Sequence, residues 1–219
     1  EATAAAIAYG LNDNANETRN VVIFDLGVRT CETVVMTIKG AVYDVKAICK
    51  ASLGGRNFDN RLVEHFVFEL KRKHKRDMTS DERAMKILQE ACKKLKENLT
   101  NSVKAKTSVG PLVDGIDFDS FLTRPHFEKI CEDLFGRSFN IVKNALEDSG
   151  IEKDDIHEVI LVGSSTLIKR IEYMGTDFFD GKNLRKSINR AKVVARGAAI
   201  QAAILSGHYD GKFVSENPA

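Results

Sequence analysis

Val21-Val-Ile-Phe-Asp-Leu-Gly27 and Val159-Ile-Leu-Val-Gly-Ser-Ser-Thr166 are two runs of β-branched and aliphatic residues, each closed by a glycine, about one domain's length apart. Each apolar run predicts a strand buried on both faces. The glycine after it marks a point where backbone approaches a phosphate or a nucleoside closely. Two such strand ends facing each other make a nucleotide cleft.

Outward from the first run, Glu1-Ala-Thr-Ala-Ala-Ala-Ile-Ala-Tyr-Gly10 predicts a helix closed by Gly10 at the left-handed C′ position. A helix that begins at the first residue, with no initiator methionine, points to a piece of a longer protein. Asn12 to Asn20 is a polar loop, and Cys31 to Ile38 and Ala41 to Lys50 alternate around the hairpin signal Lys39-Gly40. Leu62, Phe66 and Leu70 place a helix over Arg56 to His74. Ser80 is the expected cap of a second helix through Leu88, Ala91, Leu95 and Leu99. Val103 to Val109 and Leu112 to Leu122 read as strands with Gly110-Pro111 as their turn. Thr123-Arg-Pro-His-Phe-Glu128 starts a helix expected to run unbroken to Ser149, with Gly150 ending it. After the second buried run come a short helix from about Ile168 and an alanine-rich helix from Lys192 to Leu205. Strands alternating with helices give the α/β class with a partly antiparallel sheet. The section from about Gly55 to Arg124 reads as an α+β insertion between two halves of a core.

Composition narrows the function. At 219 residues the chain is long enough for one large domain or two packed units, and a net charge of +2 gives no electrostatic case for nucleic acid or an anionic membrane. No apolar stretch approaches the roughly 20 residues of a membrane span, and no signal-peptide pattern precedes the first strand. Cys31, Cys49, Cys92 and Cys131 are scattered without a C-x-x-C pair, which suits small buried thiols in a reducing compartment rather than disulfides or zinc. The sequons at Asn16 and Asn98 are read as chance, since nothing else points to secretion. The basic run Lys71-Arg-Lys-His-Lys-Arg76 is read as a solvated helix end rather than a nucleic-acid patch.

Six further segments carry a resemblance. Thr3-Ala-Ala-Ala-Ile-Ala-Tyr-Gly10, Leu53-Gly-Gly55 with Phe58-Asp-Asn-Arg-Leu62, Phe68-Glu-Leu-Lys-Arg-Lys-His74, Gly115-Ile-Asp-Phe118, Lys186-Ser-Ile-Asn189 and Gly197-Ala-Ala-Ile-Gln-Ala-Ala-Ile-Leu205 together resemble the heat shock protein 70 chaperones. The similarity runs over nearly the whole chain. It implies the second lobe of an actin-like, ribonuclease-H-like ATPase domain, with a core unit at residues 1–54 and 125–219 and an inserted outer unit at 55–124. It also implies an ATP or ADP site with Mg²⁺ between two lobes, the first of which has no counterpart here. Unfolded polypeptide would bind a further domain also without counterpart. A nucleotide-exchange factor, a J-domain co-chaperone and a cytoplasmic location follow by the same resemblance. No nucleic acid and no membrane are expected as partners.

Residue by residue, the resemblance implies that Asp25 orients the metal and the attacking water, while a strand-end aspartate that merely caps a turn is the plain alternative. Glu1 and Thr30 stand with Asp25 on the catalytic side, and Gly27 admits the phosphates. Lys96 and Thr100, four apart on one helix face, match nucleoside contacts, although a solvated lysine is the plain reading of Lys96. Gly163, Ser164, Ser165 and Ile168 belong to the adenosine loop.

Several residues depart from the family pattern. Val28 and Arg29 replace two glycines of the phosphate loop, which would be strained if either position required a positive φ, and Arg29 offers a cation to phosphate in return. Lys93 and Glu97 exchange the charges around Lys96, Ser164 replaces a glycine, Leu167 an arginine and Ala191 an aspartate. Arg56 and Asn57 replace an acidic pair, and Lys169, Arg190 and Lys192 stand where the family has Pro, Pro and Glu. The resemblance therefore supports two readings: an ATPase lobe of a chaperone, and a degenerate lobe kept as a protein-interaction module. A related actin-like sugar kinase fits the inserted segment and last helix less well.

Overall fold

The computed structural model describes residues 1–11, 17–75, 77–113 and 116–208. Most of the polar loop at 12–16 with the Asn16 sequon, Arg76 of the basic run and Gly115 of the Gly115-Ile-Asp-Phe118 segment lie outside them. The elements in chain order are α1 (Ala2–Ala8), β1 (Thr18–Leu26), β2 (Cys31–Lys39), β3 (Val42–Ala51), α2 (Gly55–His74), α3 (Glu82–Asn101), β4 (Lys104–Val113), β5 (Ile116–Thr123), α4 (Arg124–Ile130), α5 (Glu132–Ser149), β6 (Glu158–Val162), α6 (Lys169–Phe178), β7 (Leu184–Arg185) and α7 (Val193–Leu205).

Five strands form a mixed sheet in the order β3-β2-β1-β6-β7. The β1–β2–β3 meander is antiparallel, and β6 pairs with β1 in parallel. The alternation that defines strands sorts β1 onto two cores. Val22, Phe24 and Leu26 join the core built with α2, α3 and α5, whereas Val21 and Ile23 pack with the alanines of α1 and with Val193 of α7. The first core continues without interruption into β4 and β5, the separate two-stranded sheet. The crossing of α1 and α7 is close enough that a Cβ on Gly197 would lie 1.7 Å from the Ala4 carbonyl oxygen.

The α/β class and the partly antiparallel sheet are as read from the sequence, with Gly10 and Gly150 left-handed at φ 66° each. Three local readings need correction. Asp81, not Ser80, caps α3: its Oδ1 accepts from the Ala84 amide at 2.9 Å. Gly110 and Pro111 are not a turn but lie inside β4, where the pairing register shifts between Val109 and Val113 and absorbs them. The helix begun by the Thr123 cap breaks at Cys131, buried at φ −106° and ψ 13°, with no glycine or proline to signal it. The break lets Phe127 on one side and Phe135 on the other both face Phe58, at 6.3 and 5.0 Å between ring centroids. Tertiary aromatic packing therefore overrides an otherwise continuous helical pattern. The two-residue β7 carries too little periodicity to be read in advance.

Among the described residues no helix is long and apolar enough to cross a membrane. All four cysteines are free, and burial pushes the thiols of Cys31, Cys92 and Cys131 up to about 12.

Candidate functional site

The parallel register pairs Asp25 with Val162, so β1 and β6 end at the same edge and release Gly27 and Gly163 side by side. Carboxyl ends of adjacent parallel strands are where α/β sheets hold ligands. Gly163 sits at φ +87°, and a Cβ there would come 2.5 Å from Asp25 Oδ1 and 2.4 Å from the Leu26 carbonyl oxygen. Only a residue without a side chain lets this backbone rest on the carboxylate. A Cβ on Gly27 would meet Thr30 Oγ1 at 3.8 Å and Asp25 Oδ1 at 4.0 Å. Asp25, Gly27, Thr30 and Gly163 are thus one cluster.

Glu1 and Glu32 complete its acidic side, lining with Asp25 one small cavity walled by Ala5, Ile23 and Val194. Burial, then the charges of Glu1 and Glu32, push the Asp25 carboxyl up to about 6, against a smaller opposing pull from Lys50. Glu32, the second residue of β2, faces Asp25 across the β1–β2 pair, and no motif in the sequence singled it out. No group of three or more His, Cys, Asp or Glu among the described residues forms a full metal-ligand set. A divalent cation at Asp25 would therefore take most of its ligands from water and phosphate, which is how Mg²⁺ is commonly held. A crowded carboxylate with raised proton affinity is a donor set that such a cation relieves.

A second cluster adjoins the first through the Gly27 carbonyl, which accepts from the Gly55 amide at 2.9 Å and from Ser165 Oγ at 2.9 Å. The Val28 carbonyl accepts from the Arg56 amide, and Asn57 Oδ1 from the Gly54 amide, each at 2.9 Å. Val28 and Arg29 are not at positive φ, so the strain that two lost glycines implied is absent. Their backbone instead lies on Gly54, where a Cβ would meet Val28 and Arg29 atoms at 2.5 Å, and their side chains point to solvent. Lys96 is not a free surface cation: its Nζ donates to the Gly55 carbonyl at 3.0 Å and pairs with Asp59 Oδ1 at 2.7 Å. Asp59 lay unsingled within a family segment, and its partnership is visible only in the fold.

The remaining residues are more dispersed. Ser164 is exposed and Ser165 buried on the turn 164–167. Ile168 is buried in the core beneath that turn, so its side chain supports rather than lines the cleft. Thr100 shares the Lys96 face, but its hydroxyl donates back to the Glu97 carbonyl at 2.6 Å. Leu167 is exposed.

Gly163→Ala is expected to cost about 2 kcal/mol in unfolding free energy, from the positive φ and the contact with Leu26 and Asp25. Urea unfolding checks it; an unchanged midpoint would mean that the segment relaxes freely.

Comparison with known proteins places this arrangement. The family described as Hsp70 protein matches residues 1–215. The chain is similar to the heat shock 70 kDa protein 2 of Paracoccidioides lutzii, 47% identical over 99% of this chain and 33% of the relative. It is 46% identical to the heat shock 70 kDa protein of Neurospora crassa over 99% of this chain and 34% of that one. It is 45% identical to the heat shock cognate 70 kDa protein 3 of Dictyostelium discoideum, over 94% of this chain and 33% of that one. The chain thus spans about a third of the length of these relatives.

Proposed function

The chain belongs to the heat shock protein 70 family, with its actin-like fold, and on that premise we propose that it is one lobe of an ATP site whose parent couples hydrolysis to binding of unfolded polypeptide. The observation that carries the proposal is the joining of three segments distant in sequence, 25–30, 54–57 and 163–167, at the carboxyl ends of two parallel strands. Gly27 and Gly163 bring backbone to that edge without side-chain bulk, which suits phosphate. Lys96, Ser165 and the Gly54-Gly55 bend stand on the side where a nucleoside would lie. Mg²⁺, when bound, would supply neutralisation of phosphate charge. Asp25, ionised above its raised titration range, would hold a water by accepting its hydrogen bond, with Thr30 beside it. We assign the core unit to residues 1–54 and 125–219 and the outer unit to 55–124. An exchange factor, a J-domain partner and a cytoplasmic location belong to the same proposal.

Val28, 61% exposed, and Leu167, 45% exposed, favour a second reading, because each sets an apolar side chain on a loop of the site. In that reading the lobe is a protein-interaction module, and exposed Phe68 and Phe121 offer docking residues on the outer unit. Calorimetric titration of Mg-ATP and Mg-ADP into a protein extended to the length of its relatives decides between them. Micromolar binding is expected. No heat at millimolar nucleotide would replace the ATP reading with the interaction module.

A further inference from the structure

The turn after Gly163 is gripped from behind by residues belonging to neither strand end. The Arg190 carbonyl accepts from the Gly163 amide at 2.9 Å, and its guanidinium Nη1 donates to the Thr166 carbonyl at 2.6 Å. One residue therefore holds both ends of a four-residue stretch. From inside the turn, Thr166 Oγ1 donates to the Gly163 carbonyl at 2.7 Å.

Arg190 is itself fixed. Its Nη2 donates to Glu172 Oε1 on α6, and the two residues are 6% and 8% exposed. The other carboxylate oxygen of Glu172 lies 3.1 Å from Lys169 Nζ and 3.6 Å from Lys186 Nζ. Burial raises the Glu172 carboxyl, but the hydrogen bonds from Arg190 and Lys169 outweigh it and hold the group below the usual carboxylate range. The buried Arg190 Nε meets no partner among the described residues. A buried ion pair with one donor unmet adds little net stability, since desolvation offsets most of its attraction. Its contribution lies in direction: it fixes where the turn stands relative to α6.

We propose that Arg190, seated on Glu172, is the positioning residue of the 163–167 turn, setting the height at which Gly163 meets Asp25 and Ser165 meets Gly27. Arg190 and Lys169 both stand where the family pattern has proline, a residue with neither a charge nor a side-chain donor with which to make such a clamp. The inference rests on the ATP-lobe reading for its effect on nucleotide, but the clamp acts on the turn whether or not nucleotide binds.

The test reads hydrogen exchange at the Gly163, Thr166 and Ile168 amides, together with Mg-ADP affinity, in the protein extended to the length of its relatives. Arg190→Ala is expected to speed exchange at these three amides and weaken Mg-ADP binding, each by about tenfold, while the amides of Val21 to Phe24 keep their protection. Glu172→Gln should give a smaller loss of the same kind. The paired change Arg190→Met with Glu172→Met is expected to keep the parent's melting temperature without restoring protection of the turn, and it carries the test if Arg190→Ala does not fold. Unchanged exchange at the turn, or a rise spread evenly over β1 and the turn, would overturn the positioning role. If the parent binds no Mg-ADP, the ATP reading fails, while the exchange data still decide the clamp.

Discussion

Gly197→Ala is expected to lower the melting temperature by about 6 °C or more. The added Cβ would lie 1.7 Å from the Ala4 carbonyl oxygen and 2.4 Å from its carbon. Both are backbone atoms of α1, so no rotamer change relieves the contact; the two helices have to separate. Separation opens the core made by Ala5, Ala6, Ile23 and Val193, all at most 2% exposed. Alanine favours the isolated helix by about 1 kcal/mol over glycine. Overpacking against fixed backbone costs about 3 kcal/mol or more, so the packing term wins. Thermal unfolding followed by circular dichroism measures the shift, and a melting temperature within a degree or so of the parent's would show that the crossing is looser than described.

Asp25→Asn is expected to move activity and stability in opposite directions. In the ATP-lobe reading, loss of the carboxylate should reduce turnover at least about a hundredfold in the extended protein, because an amide neither attracts the metal nor accepts a proton. Stability should rise. The folded-state titration lies near 6, above its ordinary value of 3.8, so the native state binds the proton more tightly than the unfolded chain. By linkage, the parent loses stability as pH rises through the window from about 4 to about 6. Asparagine carries no such charge and should gain about 1 kcal/mol at pH 7.5 after allowance for solvent screening, with no gain below pH 4. Chemical denaturation across that window tests the sign. A parent whose stability is flat from pH 4 to 7, or an asparagine variant less stable at neutral pH, would mean that neither burial nor the charges of Glu1 and Glu32 raise the Asp25 carboxyl.

Much of the fold was legible because it depends on local chemistry. The β-branched runs at Val21 and Val159 became central strands, and Gly10, Gly150 and Thr123 ended or began helices where their backbone and side-chain preferences place them. What was not legible depended on distant partners. Cys131 breaks a helix because Phe58, 73 positions earlier in the chain, draws Phe127 and Phe135 to it from both sides. Ser80 and Asp81 are equally good caps by composition, and the fold chose the second. In the site, Asp25, Gly27 and Gly163 were readable as strand-end residues. The tethering of Lys96 by Asp59 and the burial of Arg190 on Glu172 were not, since a long cation looks the same in sequence whether solvated or buried. The strain expected at Val28 and Arg29 did not appear because the glycine substitutions fall where the backbone is not left-handed.

The hydrogen bonds converging on the Gly27 carbonyl also order events in time. That one oxygen waits for the amide of Gly55 and then for the hydroxyl of Ser165, 138 residues further on. A ribosome adding residues from the amino end would have completed the β1–β2–β3 meander and α2 long before Ser165 emerged. Contacts of such sequence separation close late and slowly. The candidate site therefore closes only after the first half of this lobe has formed during synthesis, and a nascent chain stalled before β6 would expose the β1 edge to which β6 later pairs.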